Sequence, residues 1–328
     1  MAKAYQSSPK YKILEERYTR VSQNVRFYQM GNTTILCVGT GAIGASIEGW
    51  VRLGINRIYL FDNKAVKIKN MVAQNFCHSD IGKPKTEALK RRLLECQFEK
   101  GNSDIPSLQI FTYSDFLAVT DKEIQRIIEK EKSKGRKVII VMASDYHPVQ
   151  ARGNRIALKF GVTVFWVGIY RMGKAGEVIF YAPGHELPCY RCITETRYRF
   201  FDNNRLAGHL KGDRDGAGIS SGLPMAATFI DAVLSHLIIG YIHCDIETNQ
   251  HARLFRRLLN EKRNLIQCQL DPEYILNDSE NIFAQIQGPD QICFNTIFQQ
   301  ESINPECPDC SLGKNAWYHT DYTKEIMP

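Results

Sequence analysis

A glycine-rich turn between a short apolar strand and a helix constrains the fold of this chain more than any other feature. The segment TTILCVG (33–39) is apolar and rich in β-branched residues, which predicts a buried strand. It runs directly into GTGAIG (39–44), whose glycines open a predicted helix, and RIYLF (57–61) predicts a second strand. A strand–turn–helix–strand unit of this kind predicts the start of a parallel α/β sheet.

Later segments continue the alternation of strands and helices. The patterns predict helices over 11–30, 84–97, 121–134, 146–158 and 223–243, and strands over 108–113, 137–143, 162–168 and 177–183. Apolar and polar residues alternate less regularly in the last of these strands, which could therefore lie in a different part of the sheet. Residues 194–222 are polar and unpatterned, which predicts a long functional loop.

The turn carries the spacing of a nucleotide-binding site. Gly39, Gly41 and Gly44 form G-x-G-x-x-G after a strand and at a helix start, where free N–H groups can bind phosphate. Asp62, at the end of the second strand, suits a ribose hydroxyl. The alternative is a glycine-rich turn that binds no ligand. The position between a strand and a helix favours nucleotide binding. The motif does not decide between NAD and ATP.

The following segment favours nucleotidyl transfer. Asn70, Gln74 and Lys85 come shortly after Asp62, and a lysine there could offset the charge that develops as pyrophosphate leaves. Taken alone, Lys83 and Lys85 are better explained as solvated charges at a helix start. Asp145 follows a later strand and could hold Mg²⁺ on the phosphates or, alternatively, cap the next helix.

Two C-x-x-C pairs predict a metal site. Cys189 and Cys192 form one pair, and Cys307 and Cys310 form the other. Four thiolates suit a tetrahedral Zn²⁺ with no open position for catalysis, so we expect a structural zinc site that the fold assembles from distant segments. A redox dithiol or a coincidence is the less favoured interpretation.

Composition limits the class of protein and its partners. The 42 Lys and Arg residues against 35 Asp and Glu residues give a net charge of +7, which is too dispersed to indicate nucleic-acid binding but suits an acidic partner or a polyphosphate.

The first twenty residues lack the apolar stretch of a signal peptide, and ten cysteines then favour a reducing cytoplasm. The apolar stretch 223–243 contains Asp231 and His236, which favours a buried helix over a membrane span.

Taken together, these motifs resemble those of the ThiF/MoeB superfamily, the ubiquitin-activating-enzyme-like adenylyltransferases. The resemblance covers most of the chain through an ordered set of segments: RYTR (17–20), GTGAIG, FDNKAVKIKNMVAQ, IGKPK, SDYHPVQAR, the glycines Gly173 and Gly176, PCYRC and CPDC. It implies a single Rossmann-like adenylation domain over 1–328, with a helical arm (1–32), a nucleotide-binding half (33–170) and a carrier-binding half (171–328) that includes a crossover loop (194–222).

The resemblance also implies a reaction. ATP would adenylate the C-terminal glycine carboxylate of a ubiquitin-like or sulfur-carrier β-grasp protein, with Mg²⁺ assisting and AMP and pyrophosphate as products. A conjugating enzyme or a sulfur donor would act next, as in a prokaryotic ubiquitin-like system. The residues implied are Gly39, Gly41 and Gly44 around the nucleotide, Asp62 on the ribose, Asn70, Gln74 and Lys85 on phosphate or adenosine, Asp145 on Mg²⁺, and Arg20 in the partner's site of a homodimer or pseudo-symmetric heterodimer.

Three departures from the family pattern leave an alternative open. Ala73 stands where the family has an arginine, Lys64 replaces the second aspartate of D-x-D, and 193–222 holds no cysteine. Arg20, Lys67, Lys69 or a partner chain could supply the missing charge. The alternative is a catalytically impaired subunit that scaffolds an active partner. An NAD-dependent oxidoreductase has only the glycine motif in its favour. Residues 244–306 lack a clear counterpart and are interpreted as a partner-specific insertion.

Overall fold

The computed structural model describes residues 18–96, 107–170, 173–206, 224–270 and 294–311. Eight strands form one sheet: β1 Thr33–Val38, β2 Arg57–Phe61, β3 Gln109–Tyr113, β4 Lys137–Met142, β5 Thr163–Ile169, β6 Ala175–Tyr181, β7 Leu265–Gln269 and β8 Asn295–Gln299. Nine α-helices accompany it in the described residues: α1 Phe27–Gly31, α2 Gly44–Arg52, α3 Lys85–Glu95, α4 Asp121–Lys132, α5 His147–Phe160, α6 Tyr190–Ile193, α7 Glu195–Leu206, α8 Pro224–Ile242 and α9 Arg253–Asn260.

The strand order is β3-β2-β1-β4-β5-β6-β7-β8. The first five strands in that order pair in parallel, and β6, β7 and β8 continue the sheet antiparallel. Successive strands are added on one side of β1 (β2, β3) and then on its other side (β4, β5). The connections therefore leave β1 and β4 in opposite directions, which opens a crevice at the carboxyl ends of these two parallel strands. Ligands of open α/β sheets bind in such a crevice.

Two apolar cores lie on the two faces of the sheet. Helices α2, α3, α8 and α9 cover one face, around Ile47, Trp50 and Leu89. Helices α4 to α7 cover the other face, around Ile128 and Tyr190. Because helices cover both faces, β1, β2 and β4 are buried almost throughout, which explains why they read as continuous apolar runs.

Helix α8 is long and apolar enough to cross a membrane by length and composition, as no other helix in the described residues is, and 56% of its most apolar window is buried. It packs against α2, β5, β6 and α9. Trp50 of α2 donates its indole N–H to the Ser235 hydroxyl across this contact, at 3.0 Å. The packing is that of a core helix, as the sequence predicts.

Two structural expectations are wrong in the described residues. The helix predicted over 11–30 is broken, because residues 19–24 form turns and α1 begins only at Phe27. The stretch 194–222 is not a loop throughout: α7 occupies its first part, stabilised by the ion pairs of Glu195 with Arg191 and Arg199; residues 207–222 lie outside the described part. The strand predicted over 177–183 is confirmed as β6, and it lies in the antiparallel part of the sheet beside β5.

The region 244–306, interpreted as an insertion, contributes to the central architecture. It contains α9, which packs on α8, and the strands β7 and β8, which extend the sheet beyond β6. Residues 271–293 of this region lie outside the described part. A short amphipathic helix and two short antiparallel strands give weak sequence signals, which explains why the sequence predicts no helix or strand there.

Candidate functional site

The turn after β1 passes so close to the end of β4 that only glycine fits. Gly39 has a φ of +88°, and a Cβ added there would lie 2.7 Å from the carbonyl oxygen of Ala143. The Gly39 amide donates to the carbonyl oxygen of Phe61 at the end of β2, at 2.8 Å. The turn therefore lies in the crevice between β1 and β4, with its backbone open to a ligand's close approach.

Gly41 and Gly44 have different surroundings. A Cβ on Gly41 would lie 2.6 Å from Oε1 of Gln74, whereas a Cβ on Gly44 would make only an ordinary contact, 3.9 Å from Leu89. Gln74 therefore lies directly against the turn, as a nucleotide contact would require. Its Oε1 is buried and has no hydrogen-bond partner within the described part of the chain.

The Asp62 carboxylate holds the turn in place. Its Oδ2 accepts hydrogen bonds from the Thr40 amide at 2.9 Å and the Thr40 hydroxyl at 3.0 Å, and its Oδ1 accepts from the Lys64 amide at 3.0 Å. Asp62 thus links the glycine turn to the segment after β2. Thr40 is a contact that the sequence analysis missed, because a threonine inside G-x-G carries no signal of its own.

Lys85 places a buried ammonium group in the same crevice. It is the first residue of α3, is 5% exposed, and its amide donates to the Lys64 carbonyl at 3.0 Å. Burial lowers the pKa of Lys85 below its usual value, and the nearby carboxylates of Asp62 and Asp145 oppose that shift. Lys64 and Lys67 lower the pKa further, so several cations converge here.

Asp145 lies at the mouth of the crevice, just after β4. Its carboxyl group is 67% exposed, and its Oδ1 lies 3.9 Å from Nζ of Lys64. An exposed carboxylate beside a phosphate site fits Mg²⁺, which keeps most of its water ligands and takes one or two carboxylates. The structure therefore brings Asp62, Lys85 and Asp145 together with Lys64, which the sequence analysis noted only as a departure.

Asn70 lies near this group but serves a local turn. It lies in the short 3₁₀ helix Ile68–Met71, and its Oδ1 accepts a hydrogen bond from the Lys67 amide at 2.8 Å. The Asn70 side chain therefore fixes the course of the chain after Lys67.

Arg20 lies in the turns before α1, where the ring of Tyr18 packs on Phe27 with centroids 5.0 Å apart. The Arg26 amide, six residues after Arg20, donates to Nε2 of His243 at 2.8 Å. His243 follows the end of α8, whose last carbonyls accept hydrogen bonds from Lys137 at the amino end of β4. Since Gly39 lies at the carboxyl ends of the strands, Arg20 is not brought into the crevice of its own chain.

The four predicted metal-binding cysteines do come together. The Sγ atoms of Cys189, Cys192, Cys307 and Cys310 all lie within 4.8 Å of one another, with separations of 3.7 Å, 3.7 Å and 3.4 Å in three pairs. Zn–S bonds of about 2.3 Å in a tetrahedron place sulfurs about 3.8 Å apart. The cluster therefore fits a zinc ion, and α6 begins directly after Cys189.

Two residues hold the cysteine cluster from outside. Asp309 accepts hydrogen bonds from Arg191 at 3.1 Å and from Asn154 at 2.8 Å. The Asn154 side chain is fully buried in α5 and also donates to Sγ of Cys189 at 3.6 Å. Hydrogen bonds of this kind orient thiolate ligands and are as important to a metal site as the ligands themselves.

Comparison with known proteins finds one matching family. A sequence model of the ThiF family matches residues 20–264. The ubiquitin-like modifier-activating enzyme 5 of Dictyostelium discoideum is 27% identical over 168 residues, which cover 49% of this chain and 42% of that protein. The enzyme of the same name from Drosophila mojavensis is 25% identical over 172 residues, covering 51% and 41%. The chain thus spans less than half the length of these relatives.

Solved structures share the fold. E. coli MccB with AMPCPP and MccA superposes with a TM-score of 0.58 at 18% identity, covering 94% of this chain and 75% of that chain. MccB with ATP gives 0.56 at 17% identity, covering 87% and 68%. PaaA gives 0.52 at 16% identity, covering 89% and 84%. At these identities the likeness shows the fold alone, and it confirms the predicted α/β class with a mostly parallel sheet.

Proposed function

Because the chain belongs to the ThiF family, we propose that it is an ATP-dependent adenylyltransferase that activates the C-terminal carboxylate of a ubiquitin-like or sulfur-carrier β-grasp protein. The observation that carries this proposal is the buried Lys85 side chain. Burial lowers its pKa, and the carboxylates of Asp62, the residue that bonds the glycine turn, and of Asp145 oppose that shift. An NAD-dependent oxidoreductase has no use for that cation, and only the glycine motif favours it.

The proposed reaction assigns each group a task. The Gly39–Gly44 turn binds the phosphates through backbone amides, and Asp62 lies where a ribose hydroxyl would bind. A carboxylate oxygen of the carrier attacks the α-phosphorus, and the bond from that phosphorus to pyrophosphate breaks. Lys85 stabilises the negative charge on the departing phosphates. Asp145 would hold Mg²⁺, which supplies further charge neutralisation when bound.

The cation missing at Ala73 has a candidate replacement in Lys64. Its Nζ lies 3.9 Å from the Asp145 carboxylate and its charge acts on Lys85, so it reaches the same region as the phosphates would. We therefore propose that Lys64, rather than Arg20, Lys67 or Lys69, supplies the positive charge that is missing at position 73. Arg20, in the turns before α1, would act only in the partner's site of a dimer.

The cysteine cluster would hold Zn²⁺ through four thiolates and tie residues 307–310 to α6. No open ligand position remains, so the metal would stabilise the carrier-binding half rather than take part in adenylation. We further propose that the segment after α7 is the crossover loop and that a conjugating enzyme or a sulfur donor acts next on the activated carrier. The proposed location of the protein is the cytoplasm.

The exchange of labelled pyrophosphate into ATP tests the proposal. Candidate β-grasp proteins ending in glycine, taken from genes beside the one for this chain, should each be supplied with Mg²⁺ and ATP. Exchange that depends on one carrier supports the enzyme. ATP binding without exchange with any of these carriers would favour the alternative that Ala73 suggests, an impaired subunit that scaffolds an active partner.

A further inference from the structure

A chain of side-chain hydrogen bonds connects the cysteine cluster with the candidate nucleotide crevice. Its first member is Tyr190, the residue after Cys189, which is 1% exposed. The Tyr190 ring stacks on Trp166 of β5 with centroids 4.7 Å apart, and its amide donates to Oδ1 of Asn154 at 2.9 Å. Stacking and hydrogen bonding together leave the Tyr190 ring a single orientation beside the cluster.

The second member is Gln150, in the second turn of α5. Its Oε1 accepts a hydrogen bond from the Tyr190 hydroxyl at 2.6 Å, and its Nε2 donates to the Ser144 carbonyl at 2.8 Å. Ser144 directly precedes Asp145, and its amide lies 2.9 Å from the position that a Cβ on Gly39 would take. The chain of contacts therefore ends on the loop that forms one wall of the crevice.

Helix geometry makes this connection rigid. Gln150 and Asn154 are four residues apart on α5, so they lie on the same face of that helix, about 6 Å apart along its axis. Asn154 bonds the cysteine cluster and Gln150 bonds the Ser144 loop. A displacement of Cys189 would move Tyr190, and with it the hydroxyl group whose hydrogen bond to Oε1 orients the Gln150 amide.

We propose that Tyr190 and Gln150 are positioning residues that couple metal occupancy of the cysteine cluster to the geometry of the Ser144–Asp145 loop, and so to nucleotide affinity. The inference rests on the proposed function, because the loop matters only if ATP binds beside it. Coupling of this kind is reciprocal: if zinc strengthens ATP binding, ATP must strengthen zinc binding by the same factor.

The reciprocal effect gives a test that does not depend on activity. The apparent zinc affinity of the full chain is measured by competition with a zinc-selective chromophoric chelator, with and without saturating Mg·ATP. We expect ATP to raise the zinc affinity of the wild type by about fivefold or more. In Tyr190→Phe, which keeps the stacking on Trp166, and in Gln150→Glu, which cannot donate to Ser144, we expect no effect of ATP. The double variant should behave as either single variant does.

Matched controls separate coupling from general damage. Tyr28→Phe, at an exposed position, and Gln125→Glu, at a half-exposed position of α4, make the same chemical changes and should keep the full ATP effect. If wild type binds ATP in calorimetry but its zinc affinity does not respond, or if Tyr190→Phe responds fully, the coupling is wrong and the proposed function stands. If either variant loses zinc in the absence of ATP, these bonds serve the cluster alone and the coupling is also wrong. Absence of ATP binding by the wild type would instead overturn the proposed function.

Discussion

The Nζ of Lys64 lies 3.9 Å from Oδ1 of Asp145, so a cation stands at the mouth of the crevice where the family pattern has an aspartate. The two residues follow the strands on either side of β1, Lys64 after β2 and Asp145 after β4. We propose that Lys64, which stands in place of that aspartate, supplies the cation that is missing at position 73.

Replacing Lys64 by alanine should slow adenylation without unfolding the protein. Its ion pair is partly exposed, so its contribution to stability is small, whereas loss of one cation near the departing phosphates should lower kcat/KM by about tenfold or more. Pyrophosphate exchange measures this. Lys64→Arg should retain most of the rate. Lys130→Ala, at an exposed position of α4, should have no effect. Full activity of Lys64→Ala would show that Ala73 is compensated elsewhere.

Replacing Gly39 by alanine should both destabilise the protein and abolish nucleotide binding. A non-glycine residue at a φ of +88° is strained by roughly 1–3 kcal/mol, and the added Cβ meets the backbone of Ala143. Thermal unfolding and ATP calorimetry measure the two effects. Gly49→Ala, in the middle of α2 with nothing within 4 Å of its Cβ, should instead stabilise the helix by up to about 1 kcal/mol.

Replacing Cys189 by serine should remove the bound zinc. The purified wild type should contain a single zinc ion, measured by atomic emission, and the variant should contain none and unfold at a lower temperature. Cys77→Ser, at an exposed cysteine away from the cluster, should keep both the zinc and the unfolding temperature. Wild-type protein that carries no metal, yet forms a disulfide between these cysteines, would favour the redox interpretation.

The buried Asp231 predicts a pH dependence of stability. Burial in α8 raises its pKa from 3.8 to about 7, against a smaller lowering by a hydrogen bond from Ser46. Because the folded-state pKa is raised, the stabilising term is complete below about pH 4 and is lost as the pH rises through 7, on the order of 4 kcal/mol in all. Asp231→Asn should therefore match the wild type at pH 4 and be more stable at pH 8. Denaturant unfolding across this range measures the difference; equal curves at pH 8 would contradict it.

Most strands of the parallel part of the sheet were predictable because each is a short buried run bounded by turn residues. The strands β1, β2 and β4 begin and end within a residue or so of the predicted bounds. The antiparallel strands β7 and β8 were not predictable, because LIQCQ and NTIFQ mix polar with apolar residues over only five positions each. Helix α7 was missed because its stability comes from ion pairs and from Tyr198 packing on Tyr190, rather than from an apolar periodicity.

The candidate site was predictable where one residue type carries the chemistry. The glycines, Asp62, Lys85, Asp145 and the four cysteines all lie in motifs, and the structure brings them into two groups. The role of Lys64 was not predictable, because it depends on a distance to Asp145 across the crevice. The same holds for Gln150 and Tyr190, which carry no motif and act only through contacts between α5 and α6.

The most direct test of the account is calorimetric titration of the purified chain with Mg·ATP and, separately, with NAD. The account predicts that ATP binds, that NAD does not, and that Lys85→Ala weakens ATP binding by about tenfold or more, while Lys122→Ala on α4 leaves it unchanged. Binding of NAD in place of ATP, or ATP binding that does not depend on Lys85, would contradict the assignment of this crevice to adenylation.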